Sequence, residues 1–336
     1  MTMKNCSTTK LSHKVIKFWL KNEFKISRGS KKLIKIIDIQ LIQGHIVGKG
    51  ECIPYDRYEE KLRDILKYLK ENNQKILTKI KQRKIDTIPY LSLQNALSTA
   101  LIDIECQKKE HSFIKNNNIP LRFSTAVTVS IFGIKKTKEV LKKLTDVKTI
   151  KIKLSQSEVF KKLELIQSIC KNSKIIIDAN ESWSSKFLKN NISNLEKFNI
   201  ILIEQPFPKG KDFLLKYIKS KIKFCADETF HLKNKNLLKN IKYYQCVNLK
   251  LDKFGTHHEI IKYINIIKKL NKKIMLGCMV SSSLSILPAL RYFKYSDFID
   301  LDGAVFLKKD RYKGIVYKNG VAEVNPNFNW GKKKGL

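Results

Sequence analysis

From residue 123 onward short apolar runs recur at regular intervals, and the stretches between them carry hydrophobic residues at helical spacing. The runs are FSTAVTVSI (123–131), TIKIKL (149–154), KIIIDAN (174–180), NIILIEQP (199–206), IKFCADE (222–228), CVNLKLD (246–252), KIMLGCM (273–279) and FIDLDG (298–303). Runs this apolar, separated by helices, predict strands buried on both faces that pair in parallel. Their total matches the strand number of a (β/α)8 barrel.

Two of the intervening helices carry both a periodic face and a start signal. Val159, Phe160, Leu163, Ile166, Ile169 and Cys170 share a face behind a predicted Ser155/Glu158 capping box. Ile260, Ile261, Ile264, Ile267 and Leu270 do so behind Thr256/Glu259. The first stretch of chain reads differently. Apolar runs at Lys31 to Ile42 and His45 to Cys52, joined around Gln43-Gly44, precede helical patterns near Tyr58 to Glu71 and Leu93 to Gln107. That mixture predicts an α+β segment at 1–121, a barrel at 122–310, and a tail at 311–336 whose GIVYKNGVAEV (314–324) reads as a hairpin returning to the first segment. The predicted fold class is therefore α/β, a (β/α)8-type barrel with an α+β capping domain.

Composition changes this picture little. With 336 residues at 43% hydrophobic and 29% charged, the chain is an ordinary globular one, and a collagen-like or disordered protein is excluded. The net charge of +37 raises nucleic acid or anionic membrane as a partner. Arg, the bidentate reader of phosphates and bases, supplies only seven of the 67 basic residues, and the lysines are spread along the whole length. No specific nucleic-acid binding is expected. Around Val15 to Leu20 the apolar clusters are short and broken by Lys17, too little for a secretion signal or a membrane span. Seven Cys with no CxxC pair, four of them (Cys170, Cys225, Cys246, Cys278) in apolar stretches, read as buried free thiols. A cytoplasmic protein without membrane attachment is expected. His257 and His258 are expected to be exposed at a helix start.

The candidate chemistry lies at the C-terminal ends of the runs, the face on which such barrels carry their sites. Lys151 and Lys153, Asp178, Glu204, Asp227 and Lys250 follow one another at intervals of 23 to 26 residues, and Asp300 and Asp302 close the ring. A single carboxylate at a strand end is often a helix cap. Three in succession supply hard oxygen ligands to one point, which suits Mg2+. Strand alternation sends Lys151 and Lys153 to one face, where mutual repulsion is expected to lower their pKa and release a base near neutrality. Lys250 should enter from the opposite side. A metal on a substrate carboxylate stabilises the charge left when the neighbouring carbon loses its proton, and a lysine on each face allows the proton to return on the other side. Racemisation or epimerisation follows.

These residues resemble the enolase superfamily, specifically its muconate-lactonising-like subgroup and, within it, the dipeptide epimerases typified by L-Ala-D/L-Glu epimerase. The motifs that carry the resemblance are KIK (151–153), DANESW (178–183), EQP (204–206), ADE (226–228), NLKLDK (248–253), GCM (277–279) and DLDG (300–303). The resemblance implies a cap closing over the barrel mouth and Mg2+ held by Asp178, Glu204 and Asp227. It implies Lys153 and Lys250 as the acid/base pair and Lys151 at the substrate carboxylate. It also implies Asp300 and Asp302 at the α-ammonium of a dipeptide, with Cys278 and Met279 as further substrate contacts. FKISRGS (24–30) and GKGECIPYDRY (48–58) resemble the two covering loops, and Arg28 would face an acidic side chain. The implied activity is that of an isomerase on L-Ala-D/L-Glu drawn from peptidoglycan-derived peptides.

Three same-fold alternatives are o-succinylbenzoate synthesis, cycloisomerisation and N-acylamino acid racemisation. All are disfavoured by the Asp300/Asp302 pair, which would have no cation to bind. After GCM the sequence runs VSSSLS where many members carry an acidic residue, so substrate identity is less determined than reaction type. A homo-oligomer is compatible with the sequence, which does not specify one.

Overall fold

The computed structural model describes residues 9–26 and 29–332. An antiparallel sheet opens the chain, with β1 (Thr9–Ile26), β2 (Gly29–Gln43) and β3 (Ile46–Cys52) in that spatial order. β2 and β3 are the predicted pair, turning at Gln43-Gly44-His45. β1 has no counterpart in the sequence reading, because lysines at 14, 17 and 21 interrupt its apolar residues. Its Leu11 nevertheless faces Leu41 and its Val15 faces Ile37 in register. Three helices follow: α1 (Leu62–Glu71), α2 (Asn73–Lys81) and α3 (Leu91–Lys108). α3 lies so close to β3 that a Cβ on Gly48 would come within 2.0 Å of the Ala100 carbonyl oxygen, and one on Gly50 within 1.9 Å of that of Ala96. Only glycine allows this approach, and it seals a core of Ile37, Ile39, Leu41, Ile65, Leu93 and Leu97.

The eight predicted runs supply eight parallel strands: β5 (Val127–Val129), β6 (Thr149–Lys153), β7 (Lys174–Asp178), β8 (Ile200–Glu204), β9 (Lys223–Ala226), β10 (Cys246–Leu249), β11 (Lys273–Gly277) and β12 (Phe298–Asp300). They pair in sequence order. The Ala126 amide donates to the Ile299 carbonyl at 2.9 Å, and the Leu301 amide to Thr125 Oγ1 at 2.8 Å, drawing the first and last strands together. The first run divides in two. Its beginning is β4 (Arg122–Ser124), which pairs with the hairpin of β13 (Val316–Lys318) and β14 (Val321–Glu323) in a second small sheet. The tail then continues: Trp330 Nε1 donates to the Lys49 carbonyl and the Gly331 amide to Asp103.

Alternation along the barrel strands decides where polar groups go. Outward residues such as Ile152, Ile177, Ile203, Val247 and Ile274 pack into the main core with the helices. Inward, Ala126, Ile176, Leu202, Cys225, Cys246 and Met275 form an apolar plug. Two residues further along the same strands stand Asp178, Glu204, Asp227 and Asn248, so period two places the polar layer directly above the plug.

Two expectations about helix starts are corrected. Ser155 caps nothing: the helix runs Val159–Ile169 behind Glu158, whose left-handed backbone (φ 56°) makes no side-chain cap. Ser155 Oγ instead shares a hydrogen bond with Ser157, because it lies too far before the helix start. Thr256 does cap its helix, accepting from the Glu259 amide. His257 is half-buried rather than exposed, with Nδ1 2.6 Å from the Tyr292 hydroxyl, and burial pulls its pKa down to about 4. Among the described residues no helix is long and apolar enough to cross a membrane. The described cysteines are free thiols, and all except Cys278 are buried.

Candidate active site

The strand ends and the cap together enclose a cavity of about 810 Å3. From the barrel it is lined by Lys151, Lys153, Asp178, Asp227, Lys250 and Asp300, with Asp302, Cys278 and Met279 beside them. The cap contributes Phe24 from β1 and the 53–58 segment after β3. Arg28 lies outside the described residues. Every other residue that the sequence nominated lines this one cavity, apart from Glu204, which lies fully buried against Lys151.

Lys151 Nζ is 2.6 Å from Glu204 Oε2, 2.7 Å from Asp300 Oδ2 and 3.5 Å from Asp178 Oδ2. Lys153 Nζ donates to Asp178 Oδ2 at 2.6 Å and to Asn180 Oδ1 at 3.1 Å, and lies 5.6 Å from the Phe24 ring centre. Lys250 Nζ donates to Asp227 Oδ2 at 2.8 Å. Lys153 ends β6 and Lys250 follows β10, four places on in a ring of eight strands, so the two ammonium groups enter from opposite sides. Asp302 Oδ2 accepts from the Thr128 amide at 2.6 Å. Asp300 does not cap the following turn: one oxygen takes Lys151 and the other has no hydrogen-bond partner.

The electrostatics overturn one expectation. Burial pulls Lys151 down, but Asp300, Glu204, Asp178 and Asp227 outweigh it and hold the ammonium well above its ordinary value. Lys250 is likewise raised, burial being outweighed by Asp227 and Glu204. At Lys151 and Lys250 the surrounding carboxylates, not repulsion from another lysine, set the direction of the shift. On the acidic side burial opposes ionisation, yet Lys153 and Lys151 keep Asp178 at about 2, and Lys250 and Lys253 keep Asp227 well below the usual range. Glu204 goes the other way, pushed up to about 8 by burial and by the Asp178 charge.

The three carboxylates stand on adjacent strand ends, with Asp178 paired in register to Glu204. They are turned onto lysines, so among the described residues no three acidic, histidine or cysteine side chains converge as a ligand group. Their chemistry nevertheless fits a small divalent cation: three buried carboxylates at neighbouring strand ends supply the hard oxygens such an ion takes.

Sequence reasoning missed several supports. Lys253, entirely buried, donates to the Asp227 carbonyl, to Asp227 Oδ1 and to the Asn248 carbonyl, all within 2.8 Å. Asn248 Nδ2 donates to Glu204 Oε1 at 2.7 Å. Gln205 Oε1 accepts from the amides of Asp227 and Thr229. The signal for Lys253 and Asn248 was present in NLKLDK, where every polar residue sits in an otherwise apolar strand end. His231, buried and stacked 4.5 Å from Tyr58 of the cap, had no such signal.

This fold and this polar layer define a capped (β/α)8 barrel with lysines and carboxylates gathered at the C-terminal ends of its strands. Residues 136–326 match the family model described as enolase C-terminal domain-like; the chain belongs to the enolase superfamily. Its relatives are isomerases by name. It is 30% identical over 304 residues to an N-acetyl-D-glutamate racemase of a Pseudoalteromonas species, covering 88% of this chain and 95% of that protein. It is 29% identical over 309 residues to the L-Ala-D/L-Glu epimerase of Escherichia coli K12, covering 90% and 95%. Among solved structures, an enolase family member from Agrobacterium tumefaciens with homology to dipeptide epimerases, bound to sodium and L-Ala-L-Glu, superposes with a TM-score of 0.88 at 27% identity, covering 96% of this chain and all of that one.

Proposed function

We propose that this protein is a Mg2+-dependent dipeptide epimerase that inverts the α-carbon of the second residue of L-Ala-D/L-Glu. The observation that carries the reading is the placing of Lys153 and Lys250 on opposite sides of one cavity that also holds the Asp300/Asp302 pair. Asp178, Glu204 and Asp227 would hold the ion, which when bound supplies positive charge to the substrate carboxylate as the α-proton leaves. Lys153 takes the proton from one face and Lys250 returns one to the other, or the reverse. Lys151, beside both the carboxylate layer and Asp300, orients the substrate carboxylate. Asp300 and Asp302 accept hydrogen bonds from the α-ammonium, a charged recognition that an N-acyl or cyclic acid does not satisfy. Arg28 reads the acidic side chain. Cys278 and Met279 wall the pocket, and Phe24 covers Lys153 and excludes water. Peptidoglycan breakdown is a source of such dipeptides, and the buried free thiols suit a reducing, cytoplasmic setting.

A second reading, racemisation of N-acetylglutamate, is favoured by the Pseudoalteromonas relative. Both are tested by NMR in D2O with Mg2+, offering L-Ala-D-Glu and N-acetyl-D-glutamate separately and following the glutamate α-proton. Exchange with appearance of the second diastereomer of the dipeptide is the expected result. Exchange of N-acetylglutamate alone would transfer the assignment to the second reading. Lys153→Ala and Lys250→Ala should each abolish epimerisation while circular dichroism stays unchanged; full activity in either would overturn the two-lysine mechanism.

A further inference from the structure

Arg57 belongs to the cap but reaches the barrel. It lies in the short helical turn Asp56–Tyr58 that follows β3, and its Nε donates to Glu181 Oε2 at 2.8 Å while its Nη2 bonds the other carboxylate oxygen. Glu181 is in the DANESW loop that leaves β7. This is a bidentate guanidinium–carboxylate pair, the geometry that specifies direction as well as contact. The Glu181 side chain is 7% exposed and that of Arg57 33%, so the pair is shielded more than a surface bridge.

The barrel side of the pair is held in an unfavourable backbone. Asn180 and Glu181 both have positive φ, 44° and 66°, a region that a Cβ disfavours and that persists only where the surroundings over-determine it. Among those surroundings the Glu181 amide donates to the Gln205 carbonyl at 2.8 Å, the Lys209 amide donates to Glu181 Oε1 at 2.8 Å, and Arg57 adds its two contacts to the carboxylate. The same backbone aims Asn180. Its amide donates to Asp178 Oδ1 at 3.0 Å and its Oδ1 accepts from Lys153 Nζ at 3.1 Å. The neighbouring cap residue Tyr58 grips the barrel a second time, stacking within 13° of parallel on His231 beyond β9. Among the described residues Lys250 hydrogen-bonds none of these groups; it donates to Asp227, at the end of the neighbouring strand β9.

We propose that Arg57 is a positioning residue: its pair with Glu181 is a latch through which the seated cap holds Asn180, and Asn180 orients Lys153. The proposal rests on the epimerase reading for its kinetic consequence and on the geometry alone for the latch. Release of Arg57 lets the 180–181 backbone relax toward ordinary φ, which withdraws the Asn180 oxygen from the Lys153 ammonium. Proton transfer on the Lys153 face is then impaired, and transfer on the Lys250 face is not.

The test uses the full-length protein with Mg2+ in D2O and compares Arg57→Ala and Arg57→Lys with the parent. Lys250→Ala, which leaves Lys153 as the base, identifies the epimer that Lys153 deprotonates. Arg57→Ala is expected to slow α-proton exchange of that epimer by about ten- to a hundredfold and to leave exchange of the other within about twofold. Arg57→Lys, which keeps one contact and loses the fork, should recover part of the rate. Equal slowing of both epimers, or none, would overturn the positioning role. A second arm needs no substrate: amide hydrogen exchange in Arg57→Ala should accelerate in 53–60 and in 179–183 together. Were the parent inert toward both epimers, the epimerase reading would fail on its own, and unchanged protection of 179–183 would overturn the latch.

Discussion

Asp302 is the side chain proposed to separate the two candidate substrates. Burial and the neighbouring Asp300 push its carboxyl up to about 7, so it is poised to ionise fully when a cation approaches and remains tolerable when none does. Asp302→Asn keeps an oxygen for the Thr128 amide, which now bonds Oδ2, but removes the charge offered to an ammonium. A hydrogen bond to a charged group contributes about 1.5–3 kcal/mol, so kcat/KM for L-Ala-D-Glu should fall about ten- to a hundredfold, whereas N-acetylglutamate turnover should hold or improve. Steady-state kinetics on both substrates read this directly; parallel losses would show that Asp302 supports the pocket without reading the amine.

Elements differ in how their ends are secured, and the two helices singled out in the sequence make opposite cases. Thr256 accepts from the Glu259 amide at the head of His257–Lys269, whereas Ser155 lies before the Glu158 cap position of Val159–Ile169 and bonds Ser157. Thr256→Ala is therefore expected to destabilise the protein by about 1 kcal/mol. Ser155→Ala should stay within about 0.5 kcal/mol of the parent. Urea midpoints of the two variants decide it, and a Ser155→Ala loss equal to that of Thr256→Ala would restore the capping box. A shared Ser/Thr-x-x-Glu pattern thus produced one cap, because the pattern fixes spacing and not where the chain turns into the helix axis.

Across the whole molecule the cap and barrel meet over a buried carboxyl. Asp252, in the turn after β10, accepts from Asn95 Nδ2 of α3 at 3.2 Å, and Glu60 and Glu51 of the cap add negative charge nearby. Burial, against the help of Asn95, pushes its pKa from 3.8 to about 8. The folded value lies above the unfolded one, so the stability this group contributes is fully present below about pH 4 and is lost as pH rises through about 8. Asp252→Asn retains an acceptor for Asn95 and has no proton to lose. Its unfolding midpoint should match the parent near pH 4 and exceed it progressively up to pH 9, as urea denaturation across that range would measure; a constant offset would place the ionisation elsewhere.

What was readable without a structure follows from local periodicity. Eight apolar runs at near-equal spacing suffice for a barrel, because a strand buried on both faces announces itself within five residues, and the same parity that buries Ile176 and Leu202 lifts Asp178 and Glu204 into one layer. Lys151, Lys153 and Lys250 stood out for the same reason, as charges inside apolar strands. Tertiary structure alone decided the rest. β1 exists because β2 offers it a partner, not because its own lysine-broken pattern demands a strand. The lysine charges are set by carboxylates up to 149 residues away, as between Lys151 and Asp300. Arg57 and Glu181, 124 residues apart, carry no mutual signal in the chain; only the docking of cap on barrel brings a guanidinium to a carboxylate, since pairing across such a distance depends on every fold between them.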